Sequence, residues 1–180
     1  MPAHYSNFFD QLIQTFQQKG KLKTFKKGEF ILKEGEVERN LYWIEEGAVR
    51  VLLLTEFEEH TVRLGYKNGI INSLSSYLKQ APSEFYIEAL RKTIVRMISK
   101  NDIEELISQS SDNLLGYTKM LEGLVTQTID REIDLLIASP TERLNRVLKR
   151  SPNVFQEVPL KYIASYLRMT PETLSRLRNS

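Results

Sequence analysis

Between Lys161 and Asn179 the chain carries side chains suited to reading a charged, hydrogen-bonding surface: Lys161, Arg168, Thr170, Glu172, Thr173, Ser175, Arg176, Arg178 and Asn179. Arg offers paired donors that match guanine, Glu accepts from the cytosine amino group, and Ser or Thr reaches a phosphate or a base edge. Their spacing predicts two short helices around a turn. Pro159 opens the first, in which Ile163, Ala164 and Leu167 face inward, and Arg168-Met169-Thr170 forms the turn. Thr170 then suits an N-cap and Pro171 the first helical position, with Leu174 and Leu177 anchoring the second helix. Ala164 supplies the small residue that a tight helix crossing needs. This is helix-turn-helix spacing, in which the second helix enters a major groove. A helical hairpin that only packs on its neighbours has the same spacing, so the motif alone leaves both open.

Other chemistries find little support. Without cysteine there is no disulfide, thiolate metal site or cysteine-ligated cluster. The two histidines, His4 in the N-terminal tail and His60 in a polar hairpin turn, are too far apart to build a metal or haem site. No Ser-His-Asp grouping or phosphate-cradling glycine loop stands out, and no enzyme activity, metal or resident cofactor is expected. Asn72, Ser73, Tyr77, Phe85 and Tyr86 are candidate pocket residues for an aromatic or lipid-like effector, or core filling in its place. The last fifty residues hold nine Lys or Arg against five Asp or Glu, while the remainder is slightly acidic. That places positive charge on the segment proposed to read DNA. Neither a signal peptide nor a membrane-length apolar run is seen, so a cytoplasmic location is expected.

The elements that would position these residues follow from periodicity. Ser6 is a plausible N-cap for a first helix with Phe8, Phe9, Leu12, Ile13 and Phe16 on its apolar face. From Phe25 to Tyr66, short β-like runs alternate with Gly turns, which points to a sandwich or barrel. Residues 72–80 suggest a helical turn, Phe85–Ala89 and Ile94–Ile98 strands, and Asn101-Asp102 a cap for a helix over Ile103–Gln109. Asp112–Ala138 predicts the longest helix. Its stripe of Leu114, Tyr117, Leu121, Leu124 and Thr128 is widened by Leu115, Val125, Ile129, Ile133 and Leu136. So wide an apolar arc must be covered on more than one side, and a second copy of the chain would cover what its own domain does not. The first-named stripe is taken as the dimer interface. Ser139-Pro140-Thr141-Glu142 starts a further helix with Leu144, Val147 and Leu148 inward, and Val154–Val158 is read as extended.

Taken together these features resemble the Crp–Fnr family of bacterial transcription regulators. The likeness lies in FKKGEFILKEG (Phe25–Gly35) and LYWIEEGAVRV (Leu41–Val51), and in Glu172, Thr173 and Arg176 of a recognition-helix pattern that Pro171 breaks. The resemblance implies an α+β fold: a double-stranded β-helix, or β-roll, of the cyclic-nucleotide-binding type with flanking helices, a long dimerisation helix and a C-terminal helix-turn-helix. Expected boundaries are residues 1–110, 111–138 and 139–180, the last lacking the wing strands of larger relatives. Gly28, Gly35 and Gly47 would supply positive φ at turns. The implied partners are double-stranded DNA, a second copy of the chain, RNA polymerase and a small-molecule effector. Cyclic AMP is not expected as that effector. The ligand cassette reads Gly69-Ile70-Ile71-Asn72-Ser73-Leu74 and Ala81-Pro82-Ser83-Glu84-Phe85-Tyr86, with no acid at positions 72 or 73 and no Arg from Ser83 to Ala89. Glu84 would repel a phosphate. A small-molecule or protein-interaction module on the same scaffold, without DNA binding, is the alternative.

Overall fold

The computed structural model describes residues 3–179, with side chains from residue 7 onward. Helix α1 (Ala3–Lys19) leads into strands β1 (Lys21–Phe25), β2 (Phe30–Leu32), β3 (Asn40–Glu46), β4 (Ala48–Leu54), β5 (Glu59–Tyr66) and β6 (Ile70–Ile71). After α2 (Leu74–Lys79) come β7 (Tyr86–Ala89) and β8 (Thr93–Ser99). The helices α3 (Lys100–Ser108), α4 (Ser111–Leu136), α5 (Pro140–Arg150), α6 (Val154–Glu157), α7 (Leu160–Tyr166) and α8 (Pro171–Asn179) complete the described chain. The strands form two four-stranded antiparallel sheets, ordered β1-β8-β3-β6 and β2-β7-β4-β5. Alternation along β7 shows how the sheets share a core: Ile87 and Ala89 are buried, whereas Tyr86 and Glu88 are only partly so. Ile44, Val49, Ile87 and Val95 meet between the sheets.

Gly47 sits where the chain passes from one sheet to the other. Its φ is 92°, and a Cβ there would lie 2.4 Å from Thr93 Oγ1. The Thr93 hydroxyl in turn donates to the Ala48 carbonyl at 3.1 Å. Only glycine meets both the backbone and the space requirement. Gly28 and Gly35 also take positive φ, as expected.

Several local expectations change. Helix α1 begins upstream of Ser6, which lies inside it, and His4 belongs to that helix instead of a tail; the side chains of both lie outside the described residues. His60 is part of β5, paired with Leu53, and not of the turn. The cap of α3 is Ser99: its hydroxyl accepts from the Asp102 amide at 3.2 Å, while the Asp102 carboxylate accepts from the Ser99 amide at 2.9 Å. This reciprocal capping box moves the start of the helix upstream of Asn101. Residues 154–157 are helical where an extended piece was expected. Val154 and Val158, four apart and both buried, are on the helical spacing that so short a segment hides.

One side of α4 packs on the chain itself. Tyr117 meets Phe8 edge-on with centroids 6.2 Å apart, and buried Asn113 donates to Leu106 O at 2.8 Å and to Gln11 Oε1 at 3.0 Å. The opposite side is uncovered, with Leu115, Val125, Ile129, Ile133 and Leu136 all exposed. The end of α4 is joined to α5 by Asp134, which is buried and accepts from Arg146 at 2.7 Å and from Arg150. Burial opposes ionisation of Asp134, but the bonds from Arg150 and Arg146 outweigh it and hold the carboxyl below its ordinary value.

The C-terminal helices share a core of Leu144, Val147, Ile163, Ala164, Leu167 and Leu174 that extends onto Ala48 and Leu90 of the β-roll. Polar contacts reinforce the docking. Buried Arg50 pairs with Glu88 at 2.6 Å and Glu59 at 2.5 Å while its guanidinium lies 4.7 Å from the Tyr162 ring centre. The Thr61 amide donates to Ser165 Oγ at 3.3 Å. Among the described residues no helix is long and apolar enough to cross a membrane.

Candidate functional site

The turn between α7 and α8 is built by backbone hydrogen bonding. The Met169 amide donates to Ala164 O at 3.1 Å and the Arg168 amide to Ser165 O at 3.1 Å, the paired bonds of a Schellman ending. Arg168 stands at the left-handed position with φ of 54°. A non-glycine residue there carries roughly 1 kcal/mol of strain. Arginines collect the carbonyls left free at this helix end: Arg131 donates to Tyr166 O, and Arg143 to Arg168 O at 3.4 Å. Thr170 then caps α8, accepting from the Thr173 amide at 3.2 Å. With Ala164 fully buried at the crossing and Leu174 fully buried beneath α8, the second helix is phased so that its polar residues lie outside.

Glu172, Arg176, Arg178 and Asn179 are exposed, and Thr173 and Ser175 are half-buried. The Glu172 carboxyl is held below its ordinary value, first by its own backbone N–H and then by the Thr170 hydroxyl. Lys161 is exposed at the start of α7, with its ammonium 4.6 Å from the Tyr162 ring centre. Arg178 lies over Phe155 at 5.5 Å. Arg168 departs from the group: its guanidinium hydrogen-bonds His60 Nδ1 on β5, so the turn is tied to the β-roll.

The candidate effector residues separate. Ser73 and Ser83 are buried and bond to each other at 2.8 Å, and the Phe85 amide donates to Ser83 Oγ at 3.0 Å, so the cassette closes on itself. A cavity of ≈ 290 Å³ nevertheless borders Asn72, Ser73 and Phe85. Tyr77 belongs to the core beneath α1 and edges a second cavity of ≈ 210 Å³ with Asn72 and Leu121. Tyr86 does not join them: it points out of the roll, its ring tilted against Phe30 with centroids 5.1 Å apart, because β7 alternates and Ile87 takes the inner side. Sequence reasoning missed Arg63 of β5, which borders both of these cavities and a third of ≈ 580 Å³. Nothing in Val62-Arg63-Leu64 marks it, since its neighbours come from α4. The candidate dimer residues also divide. Leu114 is exposed, Tyr117 packs inside the chain, Leu121 and Leu124 border cavities, and Thr128 Oγ1 accepts from Arg63 at 2.9 Å. Among the described residues no cluster of potential metal ligands occurs.

Comparison with known proteins agrees with this architecture. Residues 22–110 match the cyclic nucleotide-binding domain model. FixK2 from Bradyrhizobium japonicum superposes with a TM-score of 0.75 at 21% identity, over 89% of this chain and 83% of that one. The catabolite activator protein of Thermus thermophilus gives 0.58 at 19% identity over 94% and 81%. A second protein of Thermus thermophilus, a transcriptional regulator of the CRP family, gives 0.61 at 21% identity over 87% and 82%. Among curated proteins no sequence matches. Residues 22–110 are thus similar to the cyclic nucleotide-binding domain, within a chain that shares the fold of these solved regulators.

Proposed function

We propose that the chain is a transcription regulator that binds a pseudo-palindromic DNA site as a homodimer, α8 entering the major groove. The observation that carries this reading is the division of α8 into a sealed apolar underside and an outer face of Glu172, Arg176 and Asn179. Arg176 reads a base, with Glu172 beside it; Lys161 and Arg178 serve phosphates. Arg168 is assigned to the sensor contact instead, because His60 already holds it.

The dimer seam is assigned to the uncovered side of α4. Leu115, Ile129 and Leu136 fall seven or fourteen apart and Val125 lies between them, the repeat of a helix paired with its copy. Leu136 is 85% exposed and Val125 60%, an arrangement that burial in a partner relieves. The seam thus lies beside the stripe expected from sequence, whose Tyr117 serves the chain's own core. The closed cassette lacks an acid for a ribose and an Arg for a cyclic phosphate, so cyclic AMP is not bound by those contacts.

Equilibrium binding to a fluorescent mixed-sequence duplex at about 50 and 200 mM salt tests the proposal. Affinity should fall steeply between the two, as released counterions require. Absence of binding at the lower salt would reject it.

A further inference from the structure

The third cavity, ≈ 580 Å³, lies where β5, α4 and the end of α7 meet, bordered by Arg63, Ile70, Leu124, Gln127, Arg131 and Tyr166 among others. No Asp or Glu lines it. Both arginines are half-buried, and among the described residues neither forms an ion pair. Arg63 donates to Thr128 Oγ1 at 2.9 Å. Arg131 donates to Tyr166 O and stacks on that ring at 3.9 Å, but its buried Nη1 has no partner.

Most arginines held in the folded chain elsewhere are compensated by a carboxylate; Arg143, bonded only to the carbonyls of Ile137, Ala138 and Arg168, is an exception that borders none of the three cavities. Arg50 has Glu88 and Glu59, Arg96 has Glu45, and Arg146 and Arg150 share Asp134. Taking a cation out of water without a paired counter-charge is costly. Arg63 has none, and Asp134, which attracts Arg131, is already bonded to Arg146 and to Arg150, itself at the cavity's edge, so the two unpaired cations call for an anion. Burial accordingly pushes both guanidinium groups below their ordinary value. Val62, Ile70, Ile71 and Leu124 make one part of the wall apolar and offer a surface to a ligand's body, beside polar Gln127, Thr128 and Ser151. The volume falls in the range of small-ligand sites.

We infer that this junction binds a small organic anion, a carboxylate or phosphate head on an apolar body, with Arg63 and Arg131 on the head. The site shares Arg63 with the cavity beside the closed Ser73–Ser83 cassette and takes one wall from the C-terminal helices. The inference rests on reading the β-roll as a sensor, and it gives that sensor a ligand class. It also supplies a route to the DNA-reading helices, since Arg131 ties α4 to the last carbonyl of α7.

Calorimetric titration of the whole chain, with no DNA present, tests it. The probes are octanoate, octyl phosphate, neutral octanol and inorganic phosphate. At least one of the two amphipathic anions should bind saturably and at least tenfold tighter than octanol and inorganic phosphate; which one binds better identifies the head group. Arg63→Gln should weaken it at least tenfold and Arg63→Lys less, with thermal midpoints showing that both variants fold. Arg131→Gln should weaken it too. No binding of either anion, octanol binding as tightly, or Arg63→Gln without effect would overturn the inference. Because DNA is absent, such a failure is distinct from a failure of DNA binding.

Discussion

Arg176 and Lys161 are both exposed cations of the helix-turn-helix, yet they should fail differently. Arg176→Ala is expected to cost about 1–3 kcal/mol on the preferred site and to relax discrimination at one base pair. Lys161→Ala should weaken all sequences alike and lower the salt slope by about 1. Competition binding against single-base variants of the site separates the two, and an unchanged profile for Arg176→Ala would remove its base-reading role. Glu38 makes a stability prediction. It is fully buried, its Oε1 accepts from the Asn40 amide and the Tyr42 hydroxyl, and Oε2 has no partner. Burial raises its carboxyl above the ordinary value despite those bonds. The folded state therefore holds the proton more tightly than the unfolded state. Its stabilising effect is complete below the unfolded value of about 4.3 and is lost as pH rises through the folded value. Glu38→Gln should flatten the decline of thermal midpoint as pH rises above the unfolded value of about 4.3; an equally steep decline would contradict this. At this scale, legibility depended on local phasing. Leu174 and Leu177 reveal which residues of α8 face outward, whereas the partner of Arg63 is Thr128, 65 positions away.

Helix α4 shows what an element discloses and what it withholds. Its apolar arc is wide enough in the sequence to demand two partners; in the structure Tyr117 faces Phe8 while Val125 and Ile129 face outward. Which half serves which partner could not be read, because it depends on where α1 and α3 lie against the roll. Burying one such Ile or Val in a seam contributes roughly 1.5–3 kcal/mol. A double replacement, Val125→Glu with Ile129→Glu, should convert the dimer to a monomer of the chain's 21.0 kDa in light scattering. Its helical circular dichroism should persist, since the Tyr117 side is untouched. A dimer of undiminished strength would refute the assignment of the seam. Short elements were harder still. Four-residue α6 has no side-chain cap and too few positions to establish a period.

Across the whole molecule, the order of units was legible in the sequence: glycine turns at positions 28, 35 and 47 in the roll, one long helix, then short helices, of which α5 and α8 are capped by Ser139 and Thr170. The docking of the helix-turn-helix on the roll was not. It is made by Arg50 under Tyr162, Thr61 against Ser165 and His60 against Arg168, the last two spanning 104 and 108 positions. No local pattern encodes such pairs. The docking implies that the orientation of α8 is set by contacts with the β-roll, so a ligand at the proposed junction site would have a direct mechanical route to it. Selection of bound sequences from random duplex DNA shows whether two copies of α8 read one DNA site. An enriched motif of two dyad-related half-sites centred about 10–10.5 base pairs apart is expected. A pool without enrichment, or a single unpaired half-site, would contradict it.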